Sequence, residues 1–410
     1  MKDSEQLLSL PGFPPMRIAF VAPFGLRAKG TTRARVLPLA RELARRGHTV
    51  AVFVPPYDSP EDSGRRWVDE SVDVINIALP GLGQGGAAWH LWLGGRLFRA
   101  VRAWQPDVAH VFKPKGPSGL AGMLLWITRR RTKDHGPTAS SFVVRPSSVV
   151  IDSDDWEGSG GWNDDPRTGY SALQRRFFAW QERYGFSHAD AWTVTSECLR
   201  RRAVSFGADP SRVFTLHNGT IVPGKQESGV RSQEMAVLYT RFAGTRPADV
   251  AAIWARVCER VPKAALTVVG RGLGGEEREL VGLPGIAVQG WIEPAELPGL
   301  LGRMSVAIVP WSDTPSNRAR HSAKVLELMA AGLPIVAYAV GELPATLGEA
   351  GVLVPPGDAD GFAAAVAALL AEPDRAAQLG AAAQTRVKSV FAWDRLADVS
   401  LAAYAVAGNL

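Results

Sequence analysis

Lys324 and Glu327 stand three residues apart in "HSAKVLELMAAGLPIVA" (residues 321–337), a stretch that reads as a helix followed by a strand. At 100° per residue Lys324, Glu327 and Ala331 share one helical face, and Val325, Leu326, Met329 and Ala330 form the opposite, core-facing one. With Ser322 as N-cap, the amides at the helix start, the helix dipole and the Lys324 ammonium can together hold a diphosphate. The competing reading is a plain i, i+3 ion pair worth about 0.2–0.5 kcal/mol. A second group is acidic. Asp154, Asp155 and Glu157 follow a strand-like run in "VVIDSDDWEGSGGWND", where carboxylates can stabilise a developing cation or accept a proton, or else cap a turn and bind Arg or Lys. Gly270, Gly272, Gly274 and Gly275 in "VVGRGLGGEE" form a turn after a strand, which lets a backbone approach a ligand.

Such residues need a frame to hold them. The 410 residues exceed what one core usually organises, and 46% hydrophobic content supplies material for two. Cys198 and Cys258 match no metal or redox spacing, which suits a reducing compartment. Residues 1–15 lack the basic head and apolar stretch of a signal peptide and read as a loose leader. The apolar runs "GGAAWHLWLGG" and "SGLAGMLLWI" fall short of the roughly 20 residues that span a bilayer, so no crossing is expected. Residues 1–200 hold 26 Lys and Arg against 20 Asp and Glu, and residues 201–410 hold 20 of each, so the whole excess of +6 lies in the first half. No arginine-rich tract with interleaved aromatics points to nucleic acid.

From Met16, "MRIAFVAPFG" and "TTRARVLPLARELARRGHTVAVFV" make a βαβ unit, and strands at "VDVINIA", "PDVAHVF", "SSVVIDSD", "AWTVTS" and "RVFTLHNG" extend it into a parallel sheet over residues 16–218. Residues 219–234 are polar and aperiodic, as a linker should be. A second alternating series follows from "MAVLYTRF" through "ALTVVGRG", "IAVQGW", "VAIVPW", "PIVAYA" and "GVLVPP", giving a second parallel α/β domain over 235–390. Residues 391–410 read as a terminal helix packing back on the first domain. Open α/β sheets bind ligands at the carboxyl ends of their strands, so function belongs there.

Taken in order, "ARELARRGHTVAVF", "DAWTVTSECLRRRAVSFGADPSRVFTLHNG", "ALTVVGRG", "IAVQGWIEPAELPGLLGRMSVAIVPWSD" and "KVLELMAAGLPIVAYAVGELPATLGEAGVLVPPGD" resemble the GT-B glycosyltransferases, and among them the retaining family 4 group, over nearly all of residues 16–400. The resemblance implies an α/β GT-B fold, two Rossmann-like parallel-sheet domains facing a central cleft. It implies transfer of a sugar from a UDP- or GDP-type donor, held mainly by the second domain, to an acceptor held mainly by the first. It implies no cofactor beyond the nucleotide-sugar substrate and no catalytic metal. Glu327 matches the glutamate that binds the donor ribose, a task suited to two acceptor oxygens. Arg241 in "LYTRF" and then Arg246 match the cations on the donor diphosphate. Trp291 lies near where the base is seated. Gly30 and Thr31 in "PFGLRAKGTTRA" match the loop that closes over the phosphates, and Lys29 adds positive potential.

The chain departs from that family in two places. Ala319 stands where many members carry a glutamate on the transferred sugar, leaving Asn317, Arg318 and Lys324 as nearby polar replacements. Asp154 or Asp155 stands near the place of a histidine beside the sugar, and becomes the catalytic candidate. His110, at another strand end, is either structural or acceptor-facing. These departures keep two alternatives open, a nucleotide-sugar epimerase and a non-catalytic nucleotide-binding relative. The stretch "AAWHLWLGGRLFRAVRAWQPD" and the following "LLWITRRRTK" interleave tryptophans with arginines. That pattern fits either a core helix with a basic outer face or peripheral contact with an anionic membrane, on a cytoplasmic protein.

Overall fold

The computed structural model describes residues 14–26, 30–80, 86–129, 148–220 and 234–408. Most of the leader and linker, Lys29 and the basic residues Arg130, Arg131 and Lys133 lie outside these. The described residues form two compact units. One holds those up to Asp164, Tyr170–His217 and the helix from Trp393, and the other holds Asp165–Gly169 and those within Asn218–Ala392.

The first unit is built on eight strands: β1 (Arg17–Val21), β2 (Thr49–Val54), β3 (Arg66–Asp69), β4 (Val72–Asn76), β5 (Val108–Phe112), β6 (Ser148–Ser153), β7 (Ala191–Val194) and β8 (Val213–Thr215). Their order is β3-β4-β2-β1-β5-β6-β7-β8. All pairs are parallel except β3 with β4, a hairpin that the sequence reading lacked. Its two turn residues, Glu70 and Ser71, have φ of 47° and 69°. Such turns normally announce themselves with Asn or Gly, and here neither is present. Central strands such as β1 and β5 are buried along nearly their whole length, which is why they read as continuous apolar runs.

The second unit holds six parallel strands, β9 (Met235–Tyr239), β10 (Ala265–Val269), β11 (Ile286–Gly290), β12 (Val306–Val309), β13 (Ile335–Tyr338) and β14 (Gly351–Val354), in the order β11-β10-β9-β12-β13-β14. Its last helix, Pro373–Val390, ends just before the chain passes to the first unit. There the helix Trp393–Gly408 buries Leu396, Leu401, Tyr404 and Ala407 in the core that holds Ile18, Phe20 and Val50.

That core contains one polar chain. Arg35 donates twice to Asp152, from Nε at 3.0 Å and from Nη2 at 2.6 Å, with both side chains buried. Its remaining donors cap the Leu216 and His217 carbonyls after β8. Thr193 Oγ1 donates to Asp152 (2.7 Å), so its oxygen accepts from Nε2–H of His110 (3.0 Å), which leaves Nδ1 bare to accept from the Tyr404 hydroxyl (2.8 Å). Burial and the Arg35 charge hold this imidazole well below its usual range, hence neutral. His110 is therefore structural, which closes the alternative that it faces an acceptor. Asp152→Ala strands a buried guanidinium, and denaturant unfolding followed by tryptophan fluorescence is expected to show a loss of about 3–5 kcal/mol. A loss under about 1 kcal/mol contradicts this account.

Candidate functional site

In the second unit the candidate residues gather after β9, β10 and β12. The helix Ala323–Ala330 buries Val325, Leu326, Leu328, Met329 and Ala330, and Lys324 and Glu327 stay half-buried on the other face. Lys324 Nζ lies 5.6 Å from the Tyr239 ring centroid at the end of β9. Ser322 is at the N-cap position but makes no side-chain capping bond, so the expected serine cap is absent. Arg241 is exposed directly after β9, and no ion pair among the described residues engages it. Arg246 is also exposed, but its guanidinium grips Asp249 through two bonds of 2.8 Å in the first turn of the following helix. An exposed pair of this kind is weak enough to exchange for a stronger anion.

The other second-unit expectations fare differently. Gly270 is dictated by the backbone: at φ 110° a Cβ would stand 1.9 Å from the Thr240 carbonyl oxygen. The neighbouring turn is partly filled from within, since the amides of Gly272 and Gly274 donate to Glu277 (2.8 Å) and Glu276 (2.9 Å). Asn317 is buried, and its amide nitrogen donates to the Gly244 and Ser312 carbonyls (2.9 and 2.7 Å), clamping two loops together. Its Oδ1 is left without a partner. Ala319 is fully buried. Trp291 is 43% exposed, which rules out a core role, and its indole N–H reaches Glu293 (3.2 Å).

The acidic group of the first unit surrounds a residue that sequence reasoning missed. Lys113 follows β5 with φ 54°, and its ammonium lies 2.7 Å from Asp154, 2.5 Å from Asp155 and 3.2 Å from Glu157. Lys115 adds a 2.7 Å bond to Glu157 and another of 2.7 Å to Asn163. Thr31 Oγ1 donates to the second oxygen of Asp154 (3.1 Å), which joins the loop after β1 to the end of β6. Gly30 supplies the carbonyl that accepts from Arg33 and Ala34 in the first helical turn, and residues 32–36 are wound as a π-helix. The available signal was a lysine directly after a buried strand whose one polar residue is His110, at the sheet edge where open α/β sheets bind ligands.

Electrostatics separates these carboxylates. Burial pulls the Lys113 ammonium down, yet Asp154, Asp155 and Glu157 outweigh it and leave it well above its usual range. Burial pushes the Glu157 carboxyl up, but Lys115 and Lys113 prevail and bring it to about 2. For Asp155 burial wins over Lys113, with help from Asp154 and Glu157, and its pKa is raised. Asp155 is also the most exposed of the three, at 36%. A partly exposed carboxylate with a raised pKa can exchange a proton, while the buried Glu157 holds its charge.

Residues 30–219 match the family model for a glycosyl transferase 4-like domain, and residues 248–372 match that for glycosyl transferases group 1. Among curated proteins, the chain is 24% identical over 399 residues to a glycogen synthase of Mycobacterium tuberculosis, covering 90% of this chain and 89% of that one. It is 28% identical over 401 residues to a D-inositol 3-phosphate glycosyltransferase of Mycobacterium avium, covering 92% and 88%. Among solved structures, a sucrose-phosphate synthase from Thermosynechococcus elongatus aligns with TM-score 0.66 at 21% identity over 93% of this chain and 96% of that one, a likeness of fold.

The depressed Glu157 pKa carries a pH signature. Its ion pairs contribute stability that is complete above the ordinary carboxylate value of 4.5 and is lost as pH falls toward about 2. Lys113→Met removes the shared cation, so the acid-side loss of thermal stability is expected to begin at higher pH than in the wild type. Unfolding midpoints measured from about pH 3 to about pH 7 check this, and superimposable wild-type and variant profiles would count against it.

Proposed function

The chain belongs to the glycosyltransferases of family 4 type with the GT-B fold, and from that premise we propose that it transfers a sugar, with retention of configuration, from a UDP- or GDP-type donor to a hydroxyl of a cell-envelope lipid or glycan. The observation that carries the donor side is the helix Ala323–Ala330, which presents Lys324 and Glu327 together while its opposite face is buried. Glu327 accepts from the ribose hydroxyls. Lys324, Arg241 and the amides at the helix start stabilise the departing diphosphate, with Arg246 available once it exchanges Asp249. Gly30 and Thr31 contribute the phosphate-side loop of the first unit, Trp291 offers a face to the base, and Asn317 keeps one free oxygen near the sugar end. In this front-face substitution the bond from the anomeric carbon to the diphosphate breaks as that to the acceptor oxygen forms, and the acceptor proton passes to the departing phosphate oxygen. Asp154 and Asp155 then supply negative charge to the oxocarbenium-like centre.

The reaction is read as metal-independent, because the Lys113 ammonium already sits among the three carboxylates. Activity is expected to survive EDTA unchanged. Incubation with UDP- and GDP-sugars, with nucleotide release and sugar products followed by mass spectrometry, tests the whole reading. Transfer to an added acceptor supports it, whereas isomerised donor without transfer indicates the epimerase. Glu327→Ala is expected to weaken nucleotide binding by about 10- to 100-fold. Unchanged affinity would remove the central donor assignment.

The two relatives are named for different substrates, glycogen in one and D-inositol 3-phosphate in the other, so they leave the acceptor class open. A second reading concerns where the protein works. The helices Ala87–Trp104, Gly116–Thr128 and Ala172–Ser187 expose Leu91, Trp92, Ile127, Leu173 and Trp180 beside Arg96, Arg99, Arg176 and Arg183. Their one acidic residue, Glu182, is fully buried against Arg202. Meanwhile Leu93, Leu97 and Val101 of the first helix are core. Among the described residues no helix is long and apolar enough to cross a membrane. A basic, acid-free face with exposed aromatics suits peripheral contact with an anionic bilayer. Phosphatidylglycerol vesicles are expected to co-sediment the protein at low salt and to release it at high salt, and no binding at low salt dismisses the contact.

A further inference from the structure

At the carboxyl edge of the first sheet, β2, β1, β5 and β6 end side by side. The cluster on Lys113 occupies the β5 and β6 side, and the reading above leaves the β2 side unused. There Asp58 accepts from the Gly25 amide (2.6 Å), and a Cβ on Gly25 would come within 2.1 Å of Ser59 Oγ, so the loops after β1 and β2 are pressed together. The first turn of the helix Ala87–Trp104 brings Trp89 and His90 to the same place. The Tyr57 and Trp89 ring centroids are 6.0 Å apart at 83°, and those of Trp89 and His90 are 5.1 Å apart at 89°. From the other side Lys115 Nζ lies 5.4 Å from the Tyr170 ring centroid. Burial pushes the Tyr57 phenol well above its usual range, with Asp58, Tyr170 and Glu157 adding to it and Lys113 opposing.

Three polar atoms here are shut off from solvent without any hydrogen bond: Ser59 Oγ, Trp89 Nε1 and His90 Nδ1. Ser59 is 6% and Trp89 8% exposed. A buried indole N–H nearly always finds a partner, and three orphans on one loop and the helical turn beside it indicate a ligand that supplies the missing groups. A hydroxyl both donates and accepts, so a ring bearing several can satisfy all three, with its apolar face on an aromatic side chain. Charge narrows the class further. Both ammonium groups are matched by carboxylates, and Asp58, Asp154, Asp155 and Glu157 outnumber them, which disfavours an anion.

We propose that Tyr57, Ser59, Trp89 and His90 form the acceptor subsite, and that the acceptor presents there an uncharged polyhydroxylated ring, a saccharide or cyclic polyol, instead of a phosphorylated one. The proposal rests on the transferase reading above and adds the chemical class of its acceptor. Trp89→Phe keeps a ring and deletes the N–H, and Ser59→Ala deletes only the hydroxyl. Saturation-transfer NMR on the full chain with UDP or GDP present uses maltotriose and myo-inositol as uncharged probes and myo-inositol 1-phosphate as the anionic counterpart, while calorimetry follows UDP and GDP on the same samples. Binding of an uncharged probe, weakened about 5- to 10-fold by either variant with nucleotide affinity and unfolding midpoint unchanged, is the expected result. Retained nucleotide binding with no uncharged probe bound, with tighter binding of the phosphate ester, or with variants that bind like the wild type, overturns the subsite and leaves the transferase reading standing. Failure of the wild type to bind either nucleotide overturns that reading and this inference together.

Discussion

The Arg35–Asp152 pair ties together parts of the first unit that are far apart in sequence. One guanidinium, buried with its carboxylate, reaches the carbonyls beyond β8, and through Thr193 and His110 the same carboxylate reaches the terminal helix at Tyr404. Desolvating two charges is costly, and such a pair often adds no net stability over apolar residues of equal volume. What it supplies is position. The Asp152 carbonyl accepts from the Lys113 amide (2.9 Å), and Asp154 lies two residues further along the same strand end. The lysine–carboxylate cluster therefore inherits its geometry from a fully buried pair one layer below, and the helix Trp393–Gly408 closes the core over both.

The Lys113 cluster shows how such a site is kept. Three carboxylates crowded at one strand end would repel one another, and an ammonium within 3.2 Å of each offsets part of that repulsion. The lysine reaches them from a left-handed backbone conformation, φ 54°, that a residue with a Cβ adopts at a cost. Because Lys115 and Lys113 share Glu157, that carboxyl stays ionised through the physiological range, and Asp155 alone retains both exposure and a raised pKa.

The legible parts of the sequence were those with a period. Thirteen of the strands follow from apolar runs between helical stretches, and the face carrying Lys324 and Glu327 follows from 100° spacing, because burial and helical geometry act on every residue of an element. The hairpin of β3 was silent because Glu70 and Ser71 adopt positive φ without the residue types that advertise it. Lys113 was silent because its significance comes from β6, whose acids are more than forty residues away. Asn317 looked like a sugar ligand by position, yet most of its hydrogen-bonding capacity holds the loops at Gly244 and Ser312 together. The glycine turn after β10 likewise spends two amides on its own glutamates. Local pattern identifies an element, whereas the partner that satisfies a polar group is settled by the fold.

The two units also differ in how their charges are arranged, and that difference argues for a division of labour. In the first, the lysines at the sheet edge are matched by acids before any ligand arrives. On the β2 side of that edge, three neutral atoms lack partners: an indole N–H, an imidazole nitrogen and a hydroxyl. In the second, Arg241 is exposed without an ion pair among the described residues, the exposed Arg246 is held by Asp249, and the helix bearing Lys324 starts without a side-chain cap. An anion gains from uncompensated positive potential, and a polyhydroxylated ring gains from orphaned donors and acceptors. Under the proposed transfer, the charged donor is matched to the second unit and the uncharged acceptor to the first.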